Sequence, residues 1–111
     1  MTHGMSLVST AFNAICDGRK TVEMRLNDEK RSTINVGDLI EFEEEKNGKK
    51  ICCTVKKLTR FKDFFELYSA FDKTAIGYGA DESADPRDMF TFYSPDCIKR
   101  YGVLAIEIEK V

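Results

Sequence analysis

The stretch G-R-K-T-V-E-M-R-L, residues 18 to 26, sets Lys20, Thr21, Glu23 and Arg25 within one short run. These residue types can do chemistry together. A lysine carries a proton, or acts as a nucleophile once a dry setting lowers its pKa. A glutamate serves as a general base or accepts from the amino group of a nucleobase. An arginine clamps phosphate or carboxylate through paired donors. The set suits a small polar, partly anionic ligand such as a nucleotide. It also has a plainer reading. On an open sheet Glu23 and Arg25 make a wet surface ion pair, worth about 0–1 kcal/mol. The functional reading requires that this face line a cleft.

The elements around the stretch decide between the two. Lys20 to Leu26 reads as a strand, with Val22, Met24 and Leu26 on one face and Thr21, Glu23 and Arg25 on the other. Lys20 lies at its mouth, where alternation does not fix the direction of the ammonium. Leu7, Val8, Ala11, Phe12, Ile15 and Cys16 fall at helical spacing, which predicts a helix from Ser6 or Val8 to Asp17, capped by Ser6 and ended by Gly18. If that helix or the loop over residues 77–88 covers the polar face, the four side chains converge. His3 precedes the helix and reads as a surface terminus. It reaches the site only if residues 1–7 pack beside the Lys20–Leu26 strand.

Further along, Leu39 to Glu44 and Lys50 to Leu58 read as strands of a hairpin turned by Asn47-Gly48. Glu43 to Glu45 face Lys46 to Lys50 across its tip. Phe61, Phe64, Phe65, Tyr68 and Phe71 return to helical spacing, as core rather than a ligand box. The segment G-Y-G-A-D-E-S-A-D-P is a loop. Asp85-Pro86 and Ser94-Pro95 each start a short helix. Val103 to Val111 is a final strand with Leu104, Ile106 and Ile108 inward. Helix, three strands, helices and strand, with a meander in the middle, predict a mixed, largely antiparallel α+β domain with a curled sheet or small barrel.

Composition narrows the function classes. The chain has 111 residues, 42% apolar and 32% charged, enough for one globular domain over 1–111 with a real core. Its net charge of −2 argues against a bulk polyanion binder, although seven basic residues and no acid lie between Lys46 and Lys62. Tyr78 and Tyr93 are candidate exposed aromatics for base stacking. Cys16, Cys52, Cys53 and Cys97 lack zinc or C-x-x-C spacing and read as reduced thiols; His3 is the only histidine. No metal and no cofactor is expected. With neither a signal-peptide pattern nor an apolar run of membrane length, the expectation is a cytoplasmic protein without a membrane partner.

The run F-N-A-I-C-D-G-R-K-T-V-E-M-R-L-N-D-E-K-R, followed by V-G-D-L-I-E-F, resembles the ASCH domain family. The later segments L-T-R-F-K-D-F-F-E-L and Y-G-V-L-A-I-E-I fit as well. The family is similar to PUA domains, which implies a small mixed β-barrel flanked by helices, with a cleft lined by the Lys20-Thr21-x-Glu23-x-Arg25 strand. It is generally inferred to bind RNA or nucleotides. One subfamily comprises amidohydrolases that deacetylate 4-acetylcytidine with a Lys, a Thr and a Glu; other relatives are described as ribonucleases. Lys20 matches that Lys. The catalytic Thr falls where this chain has Glu23, a departure, with Thr21 two residues earlier. The catalytic Glu would come from the loop after the middle strands, where Glu82 is the candidate and Asp81 and Asp85 are close. The resemblance thus implies catalytic roles for Lys20, Glu23 and Glu82 and ligand-binding roles for Thr21 and Arg25. An RNA- or nucleotide-binding module is the first reading, a hydrolase on a modified nucleoside the second, and an adaptor with a merely charged surface the third.

Overall fold

Two cores lie on opposite faces of one sheet, and strand alternation sorts the side chains between them. The computed structural model describes residues 1–111. It contains β1 (Thr2–Leu7), α1 (Ser9–Cys16), β2 (Val22–Leu26), β3 (Leu39–Glu44), β4 (Lys50–Phe61), α2 (Phe64–Ala70), α3 (Pro95–Tyr101) and β5 (Val103–Lys110). Short 3-10 turns occupy Arg31–Thr33 and Pro86–Thr91. The five strands form one curled, half-barrel sheet in the order β1-β3-β4-β5-β2. β1 pairs with β3 in parallel and every other pairing is antiparallel.

β5 is the hinge of this arrangement. Leu104, Ile106 and Ile108 join Phe12 and Ile15 of α1 in the first core, with Ile40, Phe42 and Val55. Val103 and Ala105, on the other face, join Phe64, Leu67, Ile98 and the β2 residues Val22, Met24 and Leu26. Each large apolar side chain buried this way contributes roughly 1.5–3 kcal/mol, so the two cores carry the stability of the fold. Because Glu23 pairs with Ile106 and Arg25 with Leu104, both polar side chains point to the face of the first core.

Several expectations need correction. Residues 2–7 are a strand, not a lead-in to the helix. Ser6 belongs to that strand, and the helix starts at Ser9 behind Val8, which makes no side-chain cap. His3 is held there by Asp38, with Nε2 and Oδ2 2.8 Å apart. β2 is not part of a meander: it crosses to the far edge and pairs with β5, leaving β3 and β4 as the hairpin. Phe61 ends β4 instead of starting the helix, because Asp63, whose carboxylate accepts from Glu66 N, caps α2 at Phe64. Of the hairpin acids, Glu44 turns inward and accepts from Ser9 Oγ at 2.6 Å, while Lys50 lies between Glu41 and Glu43 at 3.6 and 3.8 Å. The expected short helix at Pro86 is there as a 3-10 helix over Pro86–Thr91, with Asp85 capping it by accepting from Arg87 N.

Candidate functional site

Lys20 follows the tight end of α1. Gly18 turns the chain with φ +79°, and the Arg19 and Lys20 amides both donate to the Ala14 carbonyl. The Ala75 carbonyl then accepts from the Thr21 and Val22 amides, so the loop before Gly77 fixes the start of β2. Gly77 completes the seat. It sits at φ +112°, and a Cβ there would lie 3.2 Å from Lys20 Cδ. The lysine stem thus passes over a bare backbone and its ammonium is directed to Glu23.

Glu23 is the hub. Its Oε1 accepts from Lys20 Nζ at 2.8 Å and from Met24 N at 3.2 Å. Its Oε2 accepts from Arg25 Nε at 2.9 Å and lies 2.8 Å from Nη2 as an ion pair. Arg25 Nη2 also donates to the Ser6 carbonyl of β1 at 3.0 Å, tying together the two edge strands of the open sheet. The Lys20 and Glu23 side chains are 8% and 4% exposed and that of Arg25 14%, so this is not a wet surface pair. Burial by itself would raise the Glu23 carboxyl, but Lys20 and then Arg25 outweigh it and hold the group below its ordinary value.

The trio opens onto a cleft of about 510 Å³ between β2, the entry to α1 and the loop through residues 76–93. Glu82 lines the cleft wall, with Oε1 accepting from Gly79 N at 2.6 Å. Thr21 does not converge with the others: it is exposed and lines a separate hollow beside Lys56, Glu107 and Lys110. The residue lies just before β2 begins, where regular alternation does not yet apply. Asp81 and Asp85 are absent from the cleft lining. Tyr78 and Tyr93 line the cleft half-buried, not exposed; the exposed aromatic at the mouth is Phe92, at 61%.

Sequence reasoning missed Tyr68, Asp88, Met89 and Phe92 on this wall. The cluster D-M-F-T-F-Y at 88–93, acid beside aromatics after a proline, was the available signal. Charged lining residues are Lys20 and Arg25 against Glu23, Glu45, Glu82 and Asp88, so the cleft carries more carboxylates than cations. The basic residues Lys56, Lys57, Arg60 and Lys62 are exposed but line no part of it. The arrangement offers donors from the Lys20–Glu23–Arg25 trio together with carboxylate acceptors and apolar side chains in one lining.

A curled mixed sheet with flanking helices and a cleft beside β2 is the PUA-like architecture. The chain belongs to the ASCH domain family, whose profile matches residues 5–111. It is similar over its full length to the hypothetical protein PH0355, with 30% identity, all of that chain covered and a TM-score of 0.85. It is likewise similar to protein PF0455 of Pyrococcus furiosus, with 31% identity over the whole of this chain and 98% of that one and a TM-score of 0.77. The ASCH protein of Zymomonas mobilis shares the fold at 18% identity, over 97% of this chain and 66% of that one, with a TM-score of 0.68. No curated protein matches the chain closely enough to carry an argument.

Proposed function

We propose that the cleft binds a nucleobase-bearing ligand, a nucleotide or an unpaired RNA nucleotide, with Lys20 and Arg25 as donors. The observation that carries this reading is the buried Lys20–Glu23–Arg25 trio at the edge of a ligand-sized cleft. A buried ion network is a weak source of stability, and hydrophobic groups of similar size would hold the fold as well. Its presence beside two apolar cores that already hold the fold supports a role in recognition. Glu23 spends both oxygens on the two cations, so it acts as the anchor that aims them rather than as a reader of the base. The unused protons of Lys20 Nζ and Arg25 Nη1 are the donors left for a base carbonyl or a single phosphate. Half-buried Tyr93 and exposed Phe92 offer faces for stacking.

Equilibrium titration with single-stranded RNA tetranucleotides tests this. Wild type should bind and Lys20→Met, matched in length but uncharged, should bind at least about tenfold more weakly while remaining folded. Equal binding by both would remove Lys20 from recognition.

A second reading, hydrolysis of a modified nucleoside, is favoured by the position of Glu82 on the wall of the same cleft as Lys20. Lys20 would manage the proton or attack, with Glu82 exchanging protons. Its test is release of cytidine from 4-acetylcytidine, followed by chromatography. Release that Lys20→Ala abolishes would establish turnover; intact substrate with binding retained would leave a recognition module.

A further inference from the structure

β1 and β2 are the two edges of the open sheet, and residues of both line the cleft. In an extended strand the N–H and C=O of one residue point the same way, and the direction alternates along the chain. The Met1 and Leu7 carbonyls accept from Leu39 N and Glu45 N, so the odd-numbered residues of β1 turn their backbone groups toward β3. Gly4 and Ser6 then turn theirs to the open edge. The Ser6 carbonyl shows this directly, because it accepts from Arg25 Nη2 across the gap at 3.0 Å. The Ser6 N–H points the same way and has no acceptor in the protein. The edge of β2 differs. There the Thr21 carbonyl accepts from Ile108 N and Asn27 N donates to the Gly102 carbonyl, so Val22 and Met24 turn outward. Their amides are already taken, Val22 N by the Ala75 carbonyl and Met24 N by Glu23 Oε1 at 3.2 Å.

Ser6 and Arg25 both line the cleft, so a free main-chain donor stands there beside a guanidinium. We infer that the Ser6 N–H is a ligand-binding group that works with Arg25, the two receiving one oxygen acceptor of the bound nucleotide, a phosphate oxygen or a base carbonyl. The inference rests on the proposed nucleotide-binding function and adds a main-chain contact to it. Backbone amides and arginines are among the regular partners of phosphate oxygens, and the cation strengthens the pair. Strand pairing with β3 holds the Ser6 amide in place, so its use costs less ordering on binding than a free side chain would. Lys20 meets the ligand from β2 and Ser6 from β1, which makes the gap between the two edges the recognition element.

The test compares wild type with Ser6→Pro, Ser6→Ala and Gly4→Pro in binding a single-stranded RNA tetranucleotide, uridine and uridine monophosphate. Ser6→Pro removes the N–H and keeps the carbonyl that receives Arg25, and an edge strand tolerates proline where its N–H faces outward. Ser6→Ala keeps the N–H and removes the hydroxyl. Gly4→Pro makes the same backbone change one edge position earlier, at a residue outside the cleft lining. Ser6→Pro should weaken RNA binding by about threefold to tenfold, and the other two should stay within about twofold of wild type. A loss with the monophosphate but not the nucleoside assigns the acceptor to phosphate; a loss with both assigns it to the base. Amide hydrogen exchange on wild type reads the same contact without a variant, and decides alone if Ser6→Pro does not fold. Exchange at Ser6 should slow by about tenfold or more on saturation with the RNA while Gly4 stays fast. Undiminished binding by Ser6→Pro, an equal loss in Ser6→Ala or Gly4→Pro, or unchanged exchange at Ser6 would overturn the inference while leaving nucleotide binding intact. Failure of wild type to bind any of the three ligands would overturn the function it rests on.

Discussion

At the scale of single residues, Glu23 holds the site together. Its carboxylate compensates the buried Lys20 and the part-buried Arg25, so neutralising it leaves Lys20 without its ion-pair partner and Arg25 with the Ser6 carbonyl alone. Glu23→Gln should destabilise the fold by about 3–5 kcal/mol, as removal of one member of a buried ion pair does. Denaturant unfolding measures this, and a loss under about 1 kcal/mol, the range of a surface pair, would contradict the buried network. The same group shapes the acid limb of stability. Glu23 and Glu44 are held below their ordinary 4.5, and Asp38 falls to about 2, chiefly through its bond with His3. Carboxyls lowered by folding contribute stability that is complete above their unfolded values and lost as the pH falls through the folded ones. The melting temperature should hold from neutral pH to about pH 5 and then decline steadily toward pH 2. A flat profile down to pH 3 would show that these carboxylates do not titrate as described.

At the scale of elements, two glycines fix what the strands present. Gly102 ends α3 at φ +71°, and a Cβ there would meet the Phe61 carbonyl at 2.9 Å. Gly77, at φ +112°, seats the stem of Lys20. Gly102→Ala should destabilise the fold without touching the cleft. Gly77→Ala should cost about 1–2 kcal/mol for the left-handed backbone and, in addition, weaken ligand binding by displacing Lys20. Melting and titration of the two variants side by side separate the effects; equal binding losses, or none in Gly77→Ala, would deny that the loop positions the lysine. The elements also show how far the sequence could be read. Alternation in V-E-M-R-L placed Glu23 and Arg25 on the face opposite Val22 and Met24, and the resemblance to ASCH domains turned that face into a cleft. The strand Thr2–Leu7 was hidden because its partner β3 is more than thirty residues away and its apolar positions, Met5 and Leu7, are few enough for Leu7 to be claimed by the helix. Thr21 was expected beside Glu23 because alternation was extended past the strand's first residue, Val22. The V-L-A-I run of β5, buried on both faces, was the local sign of two cores.

At the scale of the whole molecule, charge distribution sets how RNA can be held. The cleft lining is richer in carboxylates than cations, and the exposed basic residues of β4 lie elsewhere. Binding should therefore involve few phosphates, with a log–log dependence of affinity on salt of slope roughly −1 to −3. A slope near −8 would indicate an extended track along the basic strand. The most direct test of the central claim is an amide chemical-shift titration of isotope-labelled protein with a short single-stranded RNA, repeated with Lys20→Met. Perturbations should cluster on residues 20–25, 76–78 and 88–93 and fade in the variant. Shifts confined to Lys56, Lys57, Arg60 and Lys62, or unchanged by loss of Lys20, would contradict that claim.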